Sequence, residues 1–317
     1  MTKVFESNAD LPRSLSTEAK QKAKARALAE AHLGTASKKA RGPRMQVPRW
    51  TTGSAYLHIC EQARKYLGPA VPAATKLTVP DLEEDGIWTC FMTYIPGETL
   101  AFAQRDWDGP MHVKSLKSLA RLLARGFIPD SVSRSALVVD RDITPKLQKL
   151  LEVDRAPFTR FRGDIERLLG KVHLLKQLPL FISHYDLNGM NIIAQSDGEI
   201  SGIVDWELAA ELPFGMACCR IHDLAGYYDD GEFHVPEYFE EAERGFWQEI
   251  FANAPDDTRK VLNANLEAVQ TSVAIGMILF MLDLDSDLDD APGIRAIPKF
   301  LSYRLPALRG EGPPYLI

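Results

Sequence analysis

The sequence predicts an α+β chain of two unequal lobes, a reduced strand-bearing N-terminal lobe and a larger, mainly helical C-terminal lobe. Three observations predict this. The stretch Leu180 to Glu207 reads as an apolar strand, a polar loop, a short hairpin and a second strand ending in Asp205-Trp206-Glu207. The stretch Ile87 to Tyr94 is rich in strand-forming residues and is closed by Pro96-Gly97. Between and beyond these two, apolar residues recur at helical spacing.

The elements follow in order. Residues 1–44 are an extension with one helix, opened by Ser16 or Thr17 as a cap, with Glu18 in its first turn and Gly34 at its end. Its lysines and arginines make the first fifty residues basic, 11 Lys or Arg against 4 Asp or Glu, although the whole chain carries −6. Few large apolar residues accompany them, so the segment reads as a solvated helix or a partly disordered extension. It lacks the aromatic interleaving or apolar face that nucleic-acid or membrane-surface arms use. Residues 45–95 form the reduced N-lobe. In it, Leu57, Cys60, Ala63 and Leu67 give one helical stripe, followed by Gly68-Pro69 and the strand closed by Pro96-Gly97. Residues 96–317 form the C-lobe. Lys114 to Arg125, Phe158 to Lys176, 236–253 and 258–282 read as helices whose stripes are core. Trp107, Trp206 and Trp247 are expected to fill core or cleft walls.

The loop between the strands carries the chemistry. It reads His184-Tyr-Asp186-Leu-Asn188-Gly-Met-Asn191. Asp186 and Asn191 share one loop, so a single turn can aim both side chains into one space. Gln195-Ser196-Asp197-Gly198 is a turn-rich tetrapeptide between two short strands, and a hairpin of that size returns Asp205 beside Asn191. A carboxylate that takes a hydroxyl proton, with an amide and a second carboxylate that hold magnesium on phosphates, is the layout that phosphoryl transfer from ATP requires. Magnesium favours such hard oxygen ligands, and phosphates can complete its octahedron. Asp186 is the expected base, His184 its structural neighbour in the catalytic set, and Asn191 and Asp205 the metal ligands.

Composition excludes several classes. At 317 residues, 45% hydrophobic and 25% charged, the chain can bury a sizeable core. No apolar run reaches membrane-span length, and the longest, Val273 to Leu282, reads as a buried helix. The N-terminus shows no signal-peptide pattern. Four cysteines, Cys60, Cys90 and the adjacent Cys218-Cys219, form neither a metal pattern nor a disulfide framework. Reduced buried thiols in a cytoplasmic protein are the expectation. The chain outside the first fifty residues is acidic. Asp229, Asp230 and Glu232 form one cluster, and Asp283, Asp285, Asp287, Asp289 and Asp290 another. Solvated loops are the plainer account, though such a field would also draw an amine. The second cluster is no calcium loop, because Leu288 stands where the sharp turn needs Gly and Ile294 where the loop needs Glu.

These segments resemble the aminoglycoside phosphotransferase and choline kinase-like family, and most of all its fungal phosphotransferase-family members. The catalytic loop His184 to Asn191 and Ile203-Val204-Asp205-Trp206-Glu207 are similar to the family's versions. So are the hinge Phe91 to Leu100 and the segments Pro213-Phe214-Gly215 and Asp223-Leu224-Ala225-Gly226. The resemblance spans roughly residues 60 to 250 and implies a protein-kinase-like two-lobe fold. It also implies ATP and Mg²⁺ as cofactors and a small-molecule substrate, with no nucleic acid and no membrane span; it sets no oligomeric state. By resemblance, the Thr93 carbonyl and the Ile95 N–H would meet adenine. Glu61 would be the helix glutamate that anchors a phosphate-binding lysine.

One part of the pattern is missing. No glycine-bearing strand–turn–strand and no strand lysine precede Glu61; Lys38, Lys39 and Arg49 lie in loop-like sequence. Two classes therefore stay open. The first is an active kinase of a small hydroxyl- or amine-bearing molecule. The second is a catalytically weakened or N-lobe-truncated relative that binds a ligand or partner. A eukaryotic-type protein kinase fits less well, since Asp205 is followed by Trp-Glu rather than Phe-Gly.

Overall fold

The structure is a computed structural model that describes residues 17–33, 53–84, 89–282 and 291–310. The basic stretch holding Lys38, Lys39 and Arg49 and the acidic run from Asp283 to Asp290 lie outside the described residues.

Helix α1 (Glu18–Leu33) is capped as its sequence suggests, the Thr17 hydroxyl accepting from the Lys20 N–H at 3.3 Å. Helix α2 (Gly53–Leu67) buries Cys60, Ala63 and Leu67 on one face. It stops where Gly68 takes a φ of +66°, the left-handed conformation that ends helices. Strand β1 (Ala74–Leu77), the short helix α3 (Pro80–Glu84) and strand β2 (Thr89–Met92) follow. The two strands pair antiparallel, Ala74 opposite Met92 and Leu77 opposite Thr89.

The chain then turns through Thr93–Gly97 into β3 (Glu98–Thr99) and α4 (Leu100–Ala103). Gly97 has a φ of +131°, and a Cβ there would lie 2.5 Å from the Ala194 carbonyl oxygen. Only glycine permits that approach.

Helix α5 (Gly109–Leu123) starts at Asp108, whose carboxylate accepts from the Met111 N–H at 2.9 Å. Helices α6 (Val132–Val138), α7 (Thr144–Glu152) and α8 (Arg162–Lys171) lead to strands β4 (Leu180–Ser183), β5 (Ile192–Ala194), β6 (Ile200–Ile203) and β7 (Ala210–Pro213). Two small sheets result. One has the order β3-β5-β6, and the other pairs β4 with β7 antiparallel. The hinge is thereby fastened through β3 to the hairpin that carries the loop chemistry.

Helix α9 (Ile221–Ala225), the hairpin β8 (Tyr227–Asp229) and β9 (Glu232–His234), and helices α10 (Phe239–Ala252), α11 (Asp256–Ala264), α12 (Leu266–Met281) and α13 (Pro292–Ser302) complete the helical part. The stretch expected as one helix over 258–282 is two, bent by 85°. Asn265 leaves helical geometry at φ −131°, and its amide donates back to the Val261 carbonyl at 2.8 Å. That local bond competes with helix continuation. Among the described residues no single helix is long and apolar enough to cross a membrane.

Aromatic rings fill the core. Phe127, Phe181 and Phe214 meet at centroid distances of 4.8 to 5.5 Å, and Trp206 and Trp247 are buried, as their sequence context suggests. Each such ring removed from water is worth about 1.5–3 kcal/mol. The four cysteines are free, three of them buried, and burial pushes the Cys219 thiol up to about 12.

Candidate active site

The site is built where β4 ends. His184 follows the last residue of that buried strand and is itself 2% exposed. Its Nε2 lies 2.8 Å from the Val204 carbonyl oxygen, which can only accept, so Nε2 carries the proton. Its Nδ1 is buried without a partner among the described residues. Burial holds the imidazole below its ordinary range, with lesser opposing effects from Val204, Asp186 and Asp205. The Trp206 ring meets it edge-on at 4.7 Å. His184 therefore ties the loop to the strand that bears Asp205.

Asp186 stands two residues further on. One carboxylate oxygen accepts from the Asn188 side-chain amide at 2.8 Å, and the other from the Asn191 amide at 3.0 Å. Both amides also reach the Asp186 main-chain carbonyl, at 3.2 and 2.9 Å. Two asparagines thus fix both oxygens of one carboxylate. The orientation of Asn191 follows, because both its near neighbours are acceptors and must face its NH₂. Its Oδ1 is left pointing elsewhere. The Met190 N–H bonds to Asn188 Oδ1 at 2.8 Å, which closes the turn.

The hairpin performs the predicted return. Ile192 pairs with Ile203, and the Val204 N–H donates to the Asn191 carbonyl at 2.8 Å. Asp205 follows directly. It adopts φ +66°, ψ +60°, a left-handed conformation uncommon for a residue with a side chain. Such strain costs on the order of 1–3 kcal/mol and gathers at functional sites. The Trp206 indole N–H, bonded to the Ile203 carbonyl at 2.8 Å, helps to hold the turn. Burial raises the Asp205 carboxyl above its usual range, the Asp186 charge adds to this, and His184 opposes it.

The residues present fit a divalent cation. Asn191 offers a free amide oxygen, and the half-buried Asp205 carboxylate has no hydrogen-bond or ion-pair partner among the described residues. Hard oxygen donors of this kind suit magnesium, which takes one or two protein ligands and completes its shell with phosphates and water.

The hinge keeps two groups open. The Thr93 N–H is used by the Ala73 carbonyl at 3.0 Å, and the Thr93 hydroxyl accepts from the Ala73 N–H at 2.9 Å. Among the described residues, neither the Thr93 carbonyl nor the Ile95 N–H has a partner. Pro96, just beyond, is pinned to the hairpin by Gln195 at 2.7 Å and Ser201 at 2.6 Å.

Glu61 is not brought into this arrangement. It is exposed, because the face α2 buries is the one with Cys60, Ala63 and Leu67, and its carboxylate has no partner among the described residues. Among the described residues no strand precedes α2, and the strand lysine Lys76 lies after it, paired with Glu83 at 3.0 Å.

Sequence reasoning missed two residues. Asn188 stands in the loop motif, where an Asn before Gly signals a turn, yet its grip on Asp186 could not be read from spacing. Arg220 left no signal. Its Nε donates to the Leu187 carbonyl at 3.1 Å, its guanidinium pairs with Asp223, and it lies 4.0 Å over the Phe280 ring. The Tyr228 hydroxyl donates to the other Asp223 oxygen at 2.8 Å.

A family model described as the phosphotransferase enzyme family matches residues 51–216, just over half of the chain. The chain belongs to that family. The match takes in α2, the hinge, the Asp186 loop and Asp205. An ethanolamine kinase from Plasmodium vivax superposes at TM-score 0.51 and 12% identity, over 86% of this chain and 79% of that one. A choline kinase from Cryptosporidium parvum gives TM-score 0.45 at 12% identity, over 81% and 78% of the two chains. An aminoglycoside phosphotransferase from Streptomyces rimosus gives 0.41 at 14% identity, over 73% and 88%. No curated protein sequence matches the chain. The fold of this phosphotransferase-family chain is the protein-kinase-like one, with small sheets and a mainly helical C-terminal part.

Proposed function

We propose that this phosphotransferase-family protein moves the γ-phosphoryl group of ATP, with magnesium, to a hydroxyl of a small molecule. The observation that carries the reading is Asp186 held at both carboxylate oxygens by Asn188 and Asn191, on a loop that the hairpin joins to Asp205. A carboxylate fixed in this way can orient an incoming hydroxyl and accept its proton. The hydroxyl oxygen forms a bond to the γ-phosphorus, the bond from phosphorus to the β-bridging oxygen breaks, and ADP leaves. Asn191 Oδ1 and Asp205 would hold magnesium, whose chemistry is to neutralise charge on the phosphates. Adenine would bond to the Thr93 carbonyl and the Ile95 N–H.

In this reading residues 45–95 act as the small lobe and the chain from Pro96 onward as the large one. The substrate class is a small, amine-bearing alcohol. The exposed acids Asp229, Asp230 and Glu232 favour a cation near the large lobe. The ethanolamine kinase of shared fold acts, by its name, on such a molecule. ATP use and free, buried thiols fit a cytoplasmic protein. One observation favours a second reading, a weakened enzyme that only binds: Glu61 is exposed and has no lysine partner among the described residues.

Phosphorus NMR of Mg-ATP with amino alcohols and aminoglycosides tests the proposal. Appearance of a phosphomonoester, dependent on Asp186, supports it. Binding of Mg-ATP without transfer to any member of the panel favours the second reading.

A further inference from the structure

A cavity opens along the hinge, apart from the residues of the Asp186 loop. It has a volume of about 750 Å³, and neither Asp186, Asn191 nor Asp205 lines it. One wall is the hinge, Thr93 to Pro96. A second is a single stripe of α5 and the turn after it. Ser118, Arg121, Leu122 and Arg125 are spaced i, i+3, i+4 and i+7, so one helical face points into the space. Arg64, from the last turn of α2, closes the third side.

The lining has a clear sign. Three guanidinium groups face one carboxylate, Glu199. Two of the three are fixed by the protein. Arg64 donates to the Val71 carbonyl, and Arg121 is shared between Glu199 at 3.4 Å and Glu249 at 3.2 Å. Ser118 donates to Glu199 at 2.6 Å and so spends part of that carboxylate. Arg125 has no ion pair or hydrogen bond from its side chain among the described residues. The site is therefore cationic, partly preorganised, and has one uncommitted guanidinium. Leu122, Ile200 and Ala70 supply an apolar surface beside these charges. The volume lies within the range of small-molecule pockets.

We infer that this cavity is a second ligand site, for a phosphate dianion carried on a small organic body. Guanidinium groups match phosphate oxygens in pairs, and the uncommitted Arg125 is free to take such a pair. The apolar surface accounts for the organic body. Nothing in the inference requires that the protein transfer phosphate, so binding is measured without nucleotide or substrate.

The experiment is calorimetric titration of the full chain with phenyl phosphate and with inorganic phosphate, at about pH 8, where both are doubly charged. The expected result is saturable binding of phenyl phosphate, several-fold tighter than that of inorganic phosphate. Arg125→Ala should weaken it at least ten-fold and Arg125→Lys by less. Arg125 is exposed, so these variants fold, and an unchanged melting temperature checks this. Absence of binding, equal binding to wild type and Arg125→Ala, or equal affinity for the two phosphates overturns the inference.

Discussion

Arg220 donates from its Nε to the carbonyl oxygen of Leu187 at 3.1 Å, and so holds the backbone immediately after Asp186. This bond ties the Asp186 loop to α9 through a residue 33 positions away. The guanidinium is about nine-tenths buried and neutralises Asp223, which is equally buried. Removing one partner of such a pair strands the other charge, at a typical cost of 3–5 kcal/mol, whereas the intact pair itself is worth less.

Arg220→Ala should therefore lower the melting temperature strongly. Adding Asp223→Asn should restore part of the loss, because the stranded charge is then gone. Arg220→Lys should fall between, since an ammonium cannot serve the carbonyl, the carboxylate and the Phe280 face together. Thermal unfolding of the three variants checks this. If Arg220→Ala matches wild type in stability, the tether has no mechanical role.

Asp186→Asn leaves the loop's size and most of its hydrogen bonds in place, gives up one of the two side-chain amide bonds, and removes the carboxylate proposed as proton acceptor. Turnover should drop by about 10²–10⁴-fold with nucleotide affinity kept. Asn188→Ala should cost less, because Asn191 still holds the other oxygen. The measurement is kcat beside the Kd for Mg-ATP; turnover undiminished in Asp186→Asn rejects the base.

The parts of this protein that were legible in sequence are those in which one chain segment makes its own geometry. The loop His184 to Asn191 and the hairpin after it need only local turns, so their convergence with Asp205 could be read from spacing. The α2 stripe of Cys60, Ala63 and Leu67 was legible for the same reason. The break at Asn265 was not, because an apolar pattern continues across it while one side-chain bond turns the backbone. Arg220 was not, because its partners Leu187 and Phe280 lie 33 and 60 residues away, and only tertiary packing brings them together. The exposed Glu61 shows the limit of resemblance: helical spacing placed it correctly on a helix but could not say which face the helix buries.

The raised Asp205 carboxyl gives a pH signature in the metal-free protein. A carboxyl raised on folding binds protons more tightly in the folded than in the unfolded chain. Between the ordinary carboxylate range and the raised value, the folded state holds more protons, so stability falls as pH rises through that window. Below it the effect is absent. Asp205→Asn removes the slope and should be more stable than wild type near neutral pH without metal. Melting temperatures of both proteins from about pH 4 to pH 8, in chelator, check the difference. Magnesium with ATP should then raise the wild-type value and not that of the variant. A variant no more stable than wild type at the upper end would contradict the burial of this charge.

Gly202 offers a test of the hinge that leaves the hinge sequence untouched. It lies in β6 opposite Ile193. A Cβ at this position would sit 2.5 Å from the Ala70 carbonyl oxygen and 2.6 Å from Ile95 Cδ1. The first neighbour is backbone and cannot swing aside, so Gly202→Ala must push the α2–β1 connection and the hinge away from the hairpin. Overpacking of this kind typically costs about 1–3 kcal/mol. If the Ile95 N–H meets adenine, the same shift should weaken ATP binding. Gly163→Ala is the control: it lies in α8 with no atom within 4 Å of a new Cβ. That change should stabilise by about 0.4–1 kcal/mol and leave ATP affinity alone. Chemical denaturation and ATP titration of the two variants give the comparison. Gly202→Ala with weakened stability but full ATP affinity would remove Ile95 from the nucleotide site; no loss of stability would mean that the hairpin and hinge are not packed as described.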